Sequence, residues 1–431
     1  MDNQKAVTLE DIVSLCKRRG FIFQGSEIYG GLAGTWDYGP LGVALKKNIT
    51  DLWWKTFVEG RDDMVGVDAA ILMNPRTWKA SGHVDTFTDP LVECSNCKGR
   101  FREDKIDTSK CPTCGSENSF NEARQFNLMF ETTAGPVATD ENKVYMRPET
   151  AQGIFTNYKN VVDTLYPDVP FGIAQIGKAF RNEISPRDFV FRSREFNQME
   201  IEYFIHESQW EEKFEQWRTD IVAFLKEVGV DIDKVQEAEV APGDLAHYSK
   251  RTIDYEFAYP HGHDELLGLA YRTNFDLGNI ERESGKKMEY RPKDGSEPFV
   301  PHVIEPSFGV ERLVMAVLCS AYEYDEIHER IVLKLPKHIA PVQYCVSPLL
   351  KNKPELVAKA REVYEILKMK YGAVMWDDNG NIGKRYRRQD EIGTPYCIVV
   401  DFDTLEDGTV TVRDRDTTEQ KRLSVSDLIG E

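Results

Sequence analysis

What the 431-residue sequence lacks narrows it first. No run of about 18 apolar residues occurs, so no membrane-spanning helix is expected. The opening stretch, MDNQKAVTLEDIVSLCKRRG, has no apolar secretory segment, which points to the cytoplasm, where disulfides are rare. There are no internal repeats and no low-complexity tracts. Cationic excess is also missing: 54 Lys and Arg stand against 72 Asp and Glu, a formal net charge of −18. That balance speaks against a general nucleic-acid binder, although an acidic body can carry a local basic patch. With 41% hydrophobic and 29% charged residues, the chain has the composition of a globular protein. Its length suggests two to four domains at about 100–200 residues each.

Residues 8–19 are predicted to be helical, opened by a capping-box-like pair, Thr8 and Asp11, and closed at Gly20. A longer helix is predicted over 41–57, with Pro40 in its first turn and Leu41, Leu45, Ile49, Leu52 and Trp53 on one face. VGVDAAILMNP reads as a strand that stops at Pro75. The stretch 90–122 has few large apolar residues and reads as an insertion. FGIAQIGKAF and EFNQMEIEYF read as strands, and 207–229 as a helix with an apolar packing stripe. Further strands are expected over 252–304, then a buried helix at VERLVMAVLCSAY. Two prolines in LKLPKHIAP mark a boundary near 334–341. Beyond it strands and helices alternate, and a hairpin turning at Asp407 and Gly408 completes a compact α/β domain. The expected domains are 1–335, carrying the insertion, and 338–431.

Four of the eight cysteines, Cys16, Cys319, Cys345 and Cys397, are scattered among apolar neighbours and read as buried thiols. The other four form two CxxC pairs, Cys94 with Cys97 and Cys111 with Cys114, separated by 13 residues. Each CxxC is a tight turn presenting two thiolates, and two such turns build a tetrahedral zinc site. Free thiols, or a site that has lost its metal, are the alternative. A redox CxxC needs no second pair. With all four positions filled by protein, the zinc is expected to be structural.

Three segments carry more charge than their apolar surroundings explain: YMRPETAQGIF (145–155), KAFRNEISPRDFVFRSREFNQMEIEYF (178–204) and VIEPSFGVERLVMAVL (303–318). In the second, two strands flank a polar loop, placing Arg181 and Arg192 on strands where a guanidinium can grip phosphate, with Phe196 offering a ring to a base. A hairpin with solvated charges is the plainer reading of any one such segment. Three of them together weaken it.

The second segment resembles motif 2 of class II aminoacyl-tRNA synthetases, carried by Phe180, Arg181 and Glu183, then Arg192 and Phe196. GVERLVMAVL resembles motif 3 with Arg312, and the 41–57 helix and following strand resemble motif 1, which builds the dimer interface. TWDYGPLG, ILMNPRTWKASGHV, RPETAQGIF, FRNEISPR, EPSFGVER and GKRYRRQDEIGTPYC are similar to the signatures of the homodimeric, bacterial-type glycyl-tRNA synthetases, over nearly the whole chain. The resemblance implies an α+β catalytic domain built on an antiparallel sheet, with a zinc-ribbon-like insertion and a C-terminal α/β anticodon-binding domain. It implies glycine activation with ATP and Mg2+, then transfer to tRNA(Gly), by a homodimer.

By the same resemblance, Arg181, Glu183 and Arg312 are catalytic. Asn182, Phe191, Arg192, Phe196, Glu265, Leu266, Gly309 and Glu311 join them in ATP binding. Arg100, Glu149, Phe196, Asn197, Gln198, Met199, Glu200, Glu305, Ser307 and Gly309 contact glycine, and Glu265 and Glu305 help place magnesium. Lys384, Arg385, Arg387 and Arg388 meet tRNA; a solvated basic turn is the plainer reading of that run. Other class IIa synthetases, a non-catalytic relative of the fold and a general RNA-binding module are the rivals. The pair Glu149 and Glu200 and the motif EPSFGVER favour glycine, and the three motif arginines favour an enzyme.

Overall fold

The computed structural model describes residues 7–246 and 248–430. The first helix, α1 (Leu9–Arg19), is capped as predicted: the Thr8 hydroxyl accepts from the Asp11 N–H while the Asp11 carboxylate accepts from the Thr8 N–H. Helix α2 (Pro40–Trp54) starts on its proline and buries Leu45, Ile49 and Trp53. It runs on into a wide turn, Lys55–Glu59, that buries Phe57 and Val58. Gly42 lets α2 lie directly on the chain before it, because a Cβ there would sit 1.8 Å from the Phe21 carbonyl oxygen.

The main sheet has seven strands: β1 (Met64–Gly66), β2 (Phe171–Phe180), β3 (Glu195–Ile205), β4 (Val235–Glu239), β5 (Arg251–Tyr259), β6 (Gly262–Thr273) and β7 (His302–Gly309). Their order is β4-β5-β6-β7-β3-β2-β1. All neighbours are antiparallel except β1 and β2. The strand expected over VGVDAAILMNP is thus only its first part. At Ala69 the backbone N–H and carbonyl turn to the side chains of Gln175 and Arg147 instead of to a neighbouring strand, and Pro75 opens a short helix, Pro75–Ala80, capped by Asn74, instead of ending a strand.

One face of the sheet is covered by α2, α4 (Trp210–Glu227) and α6 (Val310–Ala321), which share the largest core with Ile201, Tyr203 and Phe308. The other face carries α3 (Ala151–Leu165) and α5 (Phe275–Ser284), packed on Phe171, Ile173 and Phe204. Only strands were expected between 252 and 304, so α5 is a correction. Its periodicity is thin, with Leu277 and Ile280 as its buried apolar residues and Gly278 inside it, and a buried ion pair anchors its first turn. Alternation along β3 then decides the site: Met199, Ile201 and Tyr203 face the large core, while Phe204 faces the other way.

The segment 334–341 leads to a five-stranded sheet of order β9-β8-β10-β11-β12, formed by β8 (Tyr344–Pro348), β9 (Val374–Trp376), β10 (Tyr396–Val400), β11 (Thr409–Asp414) and β12 (Gln420–Ser424). Helices α7 (Pro354–Tyr371) and α8 (Ile382–Asp390) connect the parallel part. The hairpin is displaced from its expected place. Gly408 ends a one-turn helix, Phe402–Asp407, capped by Asp401, and the turn lies between β11 and β12, where Asp414 accepts from the N–H groups of Asp416 and Thr417. The two units share packing: Ile339, Val342 and Ile392 belong to the large core, and the Asn48 amide donates to the carbonyls of Ile339 and Ala340 at 3.1 Å each. Among the described residues no helix is long and apolar enough to cross a membrane.

Candidate active site

A cavity of about 300 Å3 opens where β2, β3, β6 and β7 meet the loop 181–194. The loop fixes its rim. Arg194 donates to the carbonyls of Ala33 and Glu183, and the Gly34 carbonyl accepts from the Arg194 N–H. Arg181 and Arg192 lie just outside the strands that were expected to carry them, since β2 ends at Phe180 and β3 starts at Glu195. Both line the cavity, with Glu183, Phe196, Glu265 and Arg312.

These arginines are held by groups they can exchange. Arg312 pairs with Glu265 at 3.0 Å and lies over the Phe191 ring at 4.6 Å. Arg312, first among the influences, holds the Glu265 carboxyl below its ordinary range. Arg192 is 4.0 Å from Glu183. Arg181 sits between the rings of Phe87 and Phe196, 5.3 Å from each centroid, and donates to the Pro148 carbonyl. Asn182 contributes its backbone N–H to the Leu128 carbonyl. Leu266 is buried in the core, so its side chain does not reach the cavity.

Deeper on the same face lies a buried acidic recess. The hydroxyls of Thr150 and Ser307 donate to Glu200 at 2.5 and 2.8 Å. Burial, then the nearby Glu305 and Glu149, push the Glu200 carboxyl up to about 8. Glu149 is 3.3 Å from His83 Nε2. Burial works against its charge, but His83, Arg272 and Arg181 outweigh it and hold its carboxyl far below the usual range. Glu305 accepts from Arg272 at 2.5 Å, and Arg272 also clasps Asp276 at the start of α5. Glu202 is wholly buried, and burial, then the neighbouring Glu305, drives its carboxyl well above the ordinary value, so it keeps a proton that it can donate to Glu305. Carboxylate oxygens of Glu200, Glu202 and Glu305 lie within 4.8 Å of one another. The arrangement suits one small cation, either a metal ion or an ammonium.

Several expected residues fall elsewhere. Asn197 and Met199 alternate with the site-facing Phe196, Gln198 and Glu200, so they point to the opposite face of the sheet. There Asn197 donates twice to Glu311 at 2.7 Å, and Met199 is fully buried in the large core. Glu311 therefore ties α6 to β3 as well as bordering the cavity. Gly309 lines the cavity, and Gln198 accepts from the Thr150 N–H. Glu265 and Glu305 cannot share a magnesium ion. Glu305 is opposite Ala270, five residues along β6 from Glu265, about 16 Å at roughly 3.3 Å per residue. Arg100 is exposed and pairs with Glu93; Arg102, two residues on, lines the cavity and pairs with Asp89 at 2.9 Å. Arg102, His83, Thr150, Glu202 and Arg272 were all missed, because the contacts that bring them to the site, with Asp89, Glu149, Glu200 and Glu305, come from other segments.

The strands Thr88–Glu93 and Arg100–Arg102 are joined through the first CxxC turn. The Sγ of Cys94 is 3.8 Å from that of Cys114, and Cys97 is 3.6 Å from Cys111. All four lie within 4.8 Å of one another. A tetrahedron with metal–sulfur bonds of about 2.3 Å has edges of about 3.8 Å, so the donor set fits zinc. In α8, Lys384 and Arg387 are exposed and Arg388 pairs with Asp377. Arg385 is only 2% exposed and donates to the carbonyls of Pro348, Asp378 and Gly380, which removes it from any tRNA-facing set.

Residues 130–321 match the family described as tRNA synthetase class II core domain (G, H, P, S and T), and residues 343–431 match the anticodon binding domain. A glycine–tRNA ligase of Treponema denticola is 47% identical over 443 aligned residues, covering 100% of this chain and 97% of the relative. The glycine–tRNA ligase of Lachnospira eligens is 49% identical, covering 98% and 97%. That of Geobacillus kaustophilus is 47% identical, covering 98% of both.

Proposed function

The chain belongs to the glycine–tRNA ligase family, with a class II synthetase core and an anticodon-binding domain, and from that premise we propose how its cavity activates glycine and charges tRNA(Gly). The observation that carries this is the adjacency of two unlike compartments: an arginine-lined outer cavity and a buried acidic recess.

The recess takes glycine. Its ammonium sits among Glu149, Glu200 and Glu305, and Ser307 and Thr150 hold Glu200 in place. The wall is built of buried side chains held by hydrogen bonds, so a larger amino acid overlaps it, and exclusion by size needs no editing step. Arg181 reaches from the rim to the glycine carboxylate and the α-phosphate. A carboxylate oxygen attacks the α-phosphorus, the bond to the bridging oxygen breaks, and pyrophosphate leaves.

Arg192 and Arg312 leave their carboxylates for the β- and γ-phosphates. Each trades one anion for another, so little desolvation is added. Glu183 positions adenine, whose ring lies against Phe196. Magnesium, when bound with the triphosphate, offsets phosphate charge, and Glu265 is the carboxylate placed to hold it. No protein nucleophile is required; positioning and charge compensation carry the rate. In the second step the terminal ribose hydroxyl of tRNA attacks the glycyl carbonyl and AMP leaves.

Zinc in the Cys94, Cys97, Cys111 and Cys114 site holds the insertion against the cavity. Lys384 and Arg387 meet tRNA backbone. The chain acts in the cytoplasm as a homodimer through α2, of the bacterial type. ATP–pyrophosphate exchange with glycine, alanine, serine, threonine or proline tests the reading. Exchange with glycine alone is expected. Exchange with a different amino acid overturns the recess assignment, and exchange with none overturns the mechanism.

A further inference from the structure

Helix α8 has unlike surroundings on its different sides. Lys384 in its first turn and Arg387 in its last are exposed. Its last residue, Asp390, is 1% exposed and is shared by two arginines from different parts of the chain. Arg330, on the strand Arg330–Leu333 of the catalytic unit, donates to it at 2.6 Å; Arg413 of β11 donates at 2.8 and 3.1 Å. Arg330 also donates to the Arg415 carbonyl, and Arg415 donates to the carbonyls of Gly393 and Leu335. The next residue, Glu391, accepts from Arg18 at 3.1 Å and Arg19 at 2.5 Å in the last turn of α1. Gly393, at φ +78°, approaches so closely that a Cβ would lie 2.7 Å from Leu335 Cδ1 and 3.2 Å from the Leu333 carbonyl oxygen.

We propose that Asp390 is a positioning residue for the transfer step, locking α8 to the catalytic unit so that the helix sets where bound tRNA lies relative to the cavity. The proposal rests on the reading that the exposed cations of α8 meet tRNA. Asp390 neutralises one buried guanidinium from each unit. Without it Arg413 loses its carboxylate and Arg330 keeps only Asp325, at 2.8 Å, which favours separation of the units. A small tilt at this joint is magnified along the tRNA, and displacements near 1 Å at a reacting end cost about a hundredfold in rate. Glycine activation needs no such registration.

The test uses full-length protein loaded with glycyl-adenylate and follows single-turnover transfer to tRNA(Gly), beside tRNA affinity and ATP–pyrophosphate exchange. Asp390→Asn is expected to slow transfer by about tenfold or more, with exchange unchanged and tRNA affinity within about twofold. Should that variant fail to fold, Glu391→Arg breaks the exposed half of the joint, and Arg18→Glu with Arg19→Glu should restore transfer in that background. Parental transfer rates in Asp390→Asn and Glu391→Arg overturn the proposal. So does a parallel fall in exchange and transfer, or a charge swap that restores nothing. Replacing Lys384 and Arg387 by Ala separates the two readings. Unchanged tRNA affinity there, with slow transfer in Asp390→Asn, discards the contact at α8 and keeps the joint.

Discussion

Arg312 in the cavity and Arg385 in α8 both come from charged motifs, yet the molecule holds them differently. Arg312 rests on the carboxylate and the single carbonyl of Glu265 and on an aromatic face, beside open space. Arg385 is enclosed and bonded to three backbone carbonyls that have been taken out of water. A carboxylate can be exchanged for a phosphate because both are anions. A closed set of carbonyls cannot be vacated without leaving them unsatisfied. What an arginine would have to give up therefore separates a ligand-binding arginine from a structural one better than the motif it sits in.

The largest effect expected tests that contrast directly. Arg312→Ala should lower ATP–pyrophosphate exchange by about 10²–10³-fold while the thermal midpoint barely moves. Arg385→Ala should leave exchange per folded molecule intact but remove roughly 3 kcal/mol of stability, read by denaturant unfolding. If Arg312→Ala unfolds the chain, or Arg385→Ala abolishes exchange in folded protein, the distinction fails.

A smaller effect sharpens the contrast between the outer cavity and the recess. Glu200, with its carboxyl pushed up to about 8, keeps a proton that the unfolded chain has already released above about 4.5. Without glycine, folding stability from this group falls as pH rises between those values. The glycine ammonium needs the ionised form, so KM for glycine should fall about tenfold between pH 6 and pH 7 and level off above pH 8. Glu200→Gln should bind glycine weakly and flatten that profile. An unchanged profile in the variant would show that another group titrates.

Much of this was legible beforehand, for identifiable reasons. The capped α1, the apolar face of α2 and the paired CxxC turns are local signals. The motif arginines border, or stand in, strands and a helix whose apolar runs mark them. Alternation along 196–200 was also available, and applying it would have turned Asn197 and Met199 away from the site. Helix α5 was hidden because only Leu277 and Ile280 mark its apolar face, and Arg272, which anchors its first turn, lies outside it. His83, Arg102 and Arg272 meet Glu149, Asp89 and Glu305 from other parts of the chain, and no pattern within a single segment reveals such pairs. Arg385 looked free for the opposite reason, since a cation within a basic run gives no sign of carbonyls folded around it.

The smallest effect concerns the insertion. Removing metal with a chelator should release four reactive thiols and raise KM for ATP about two- to fivefold, the scale of one partly exposed ion pair. An unchanged KM in demetallated protein would detach the insertion from the cavity.

The cysteine turns also join the strand carrying Asp89 to the strand carrying Arg102. With zinc proposed for the four-cysteine site, a trace nutrient would gain a hold on this pair of strands. In a zinc-poor medium, cells relying on this chain would then run short of glycyl-tRNA first when ATP also falls, and growth would be limited by a mineral that takes no part in making the bond.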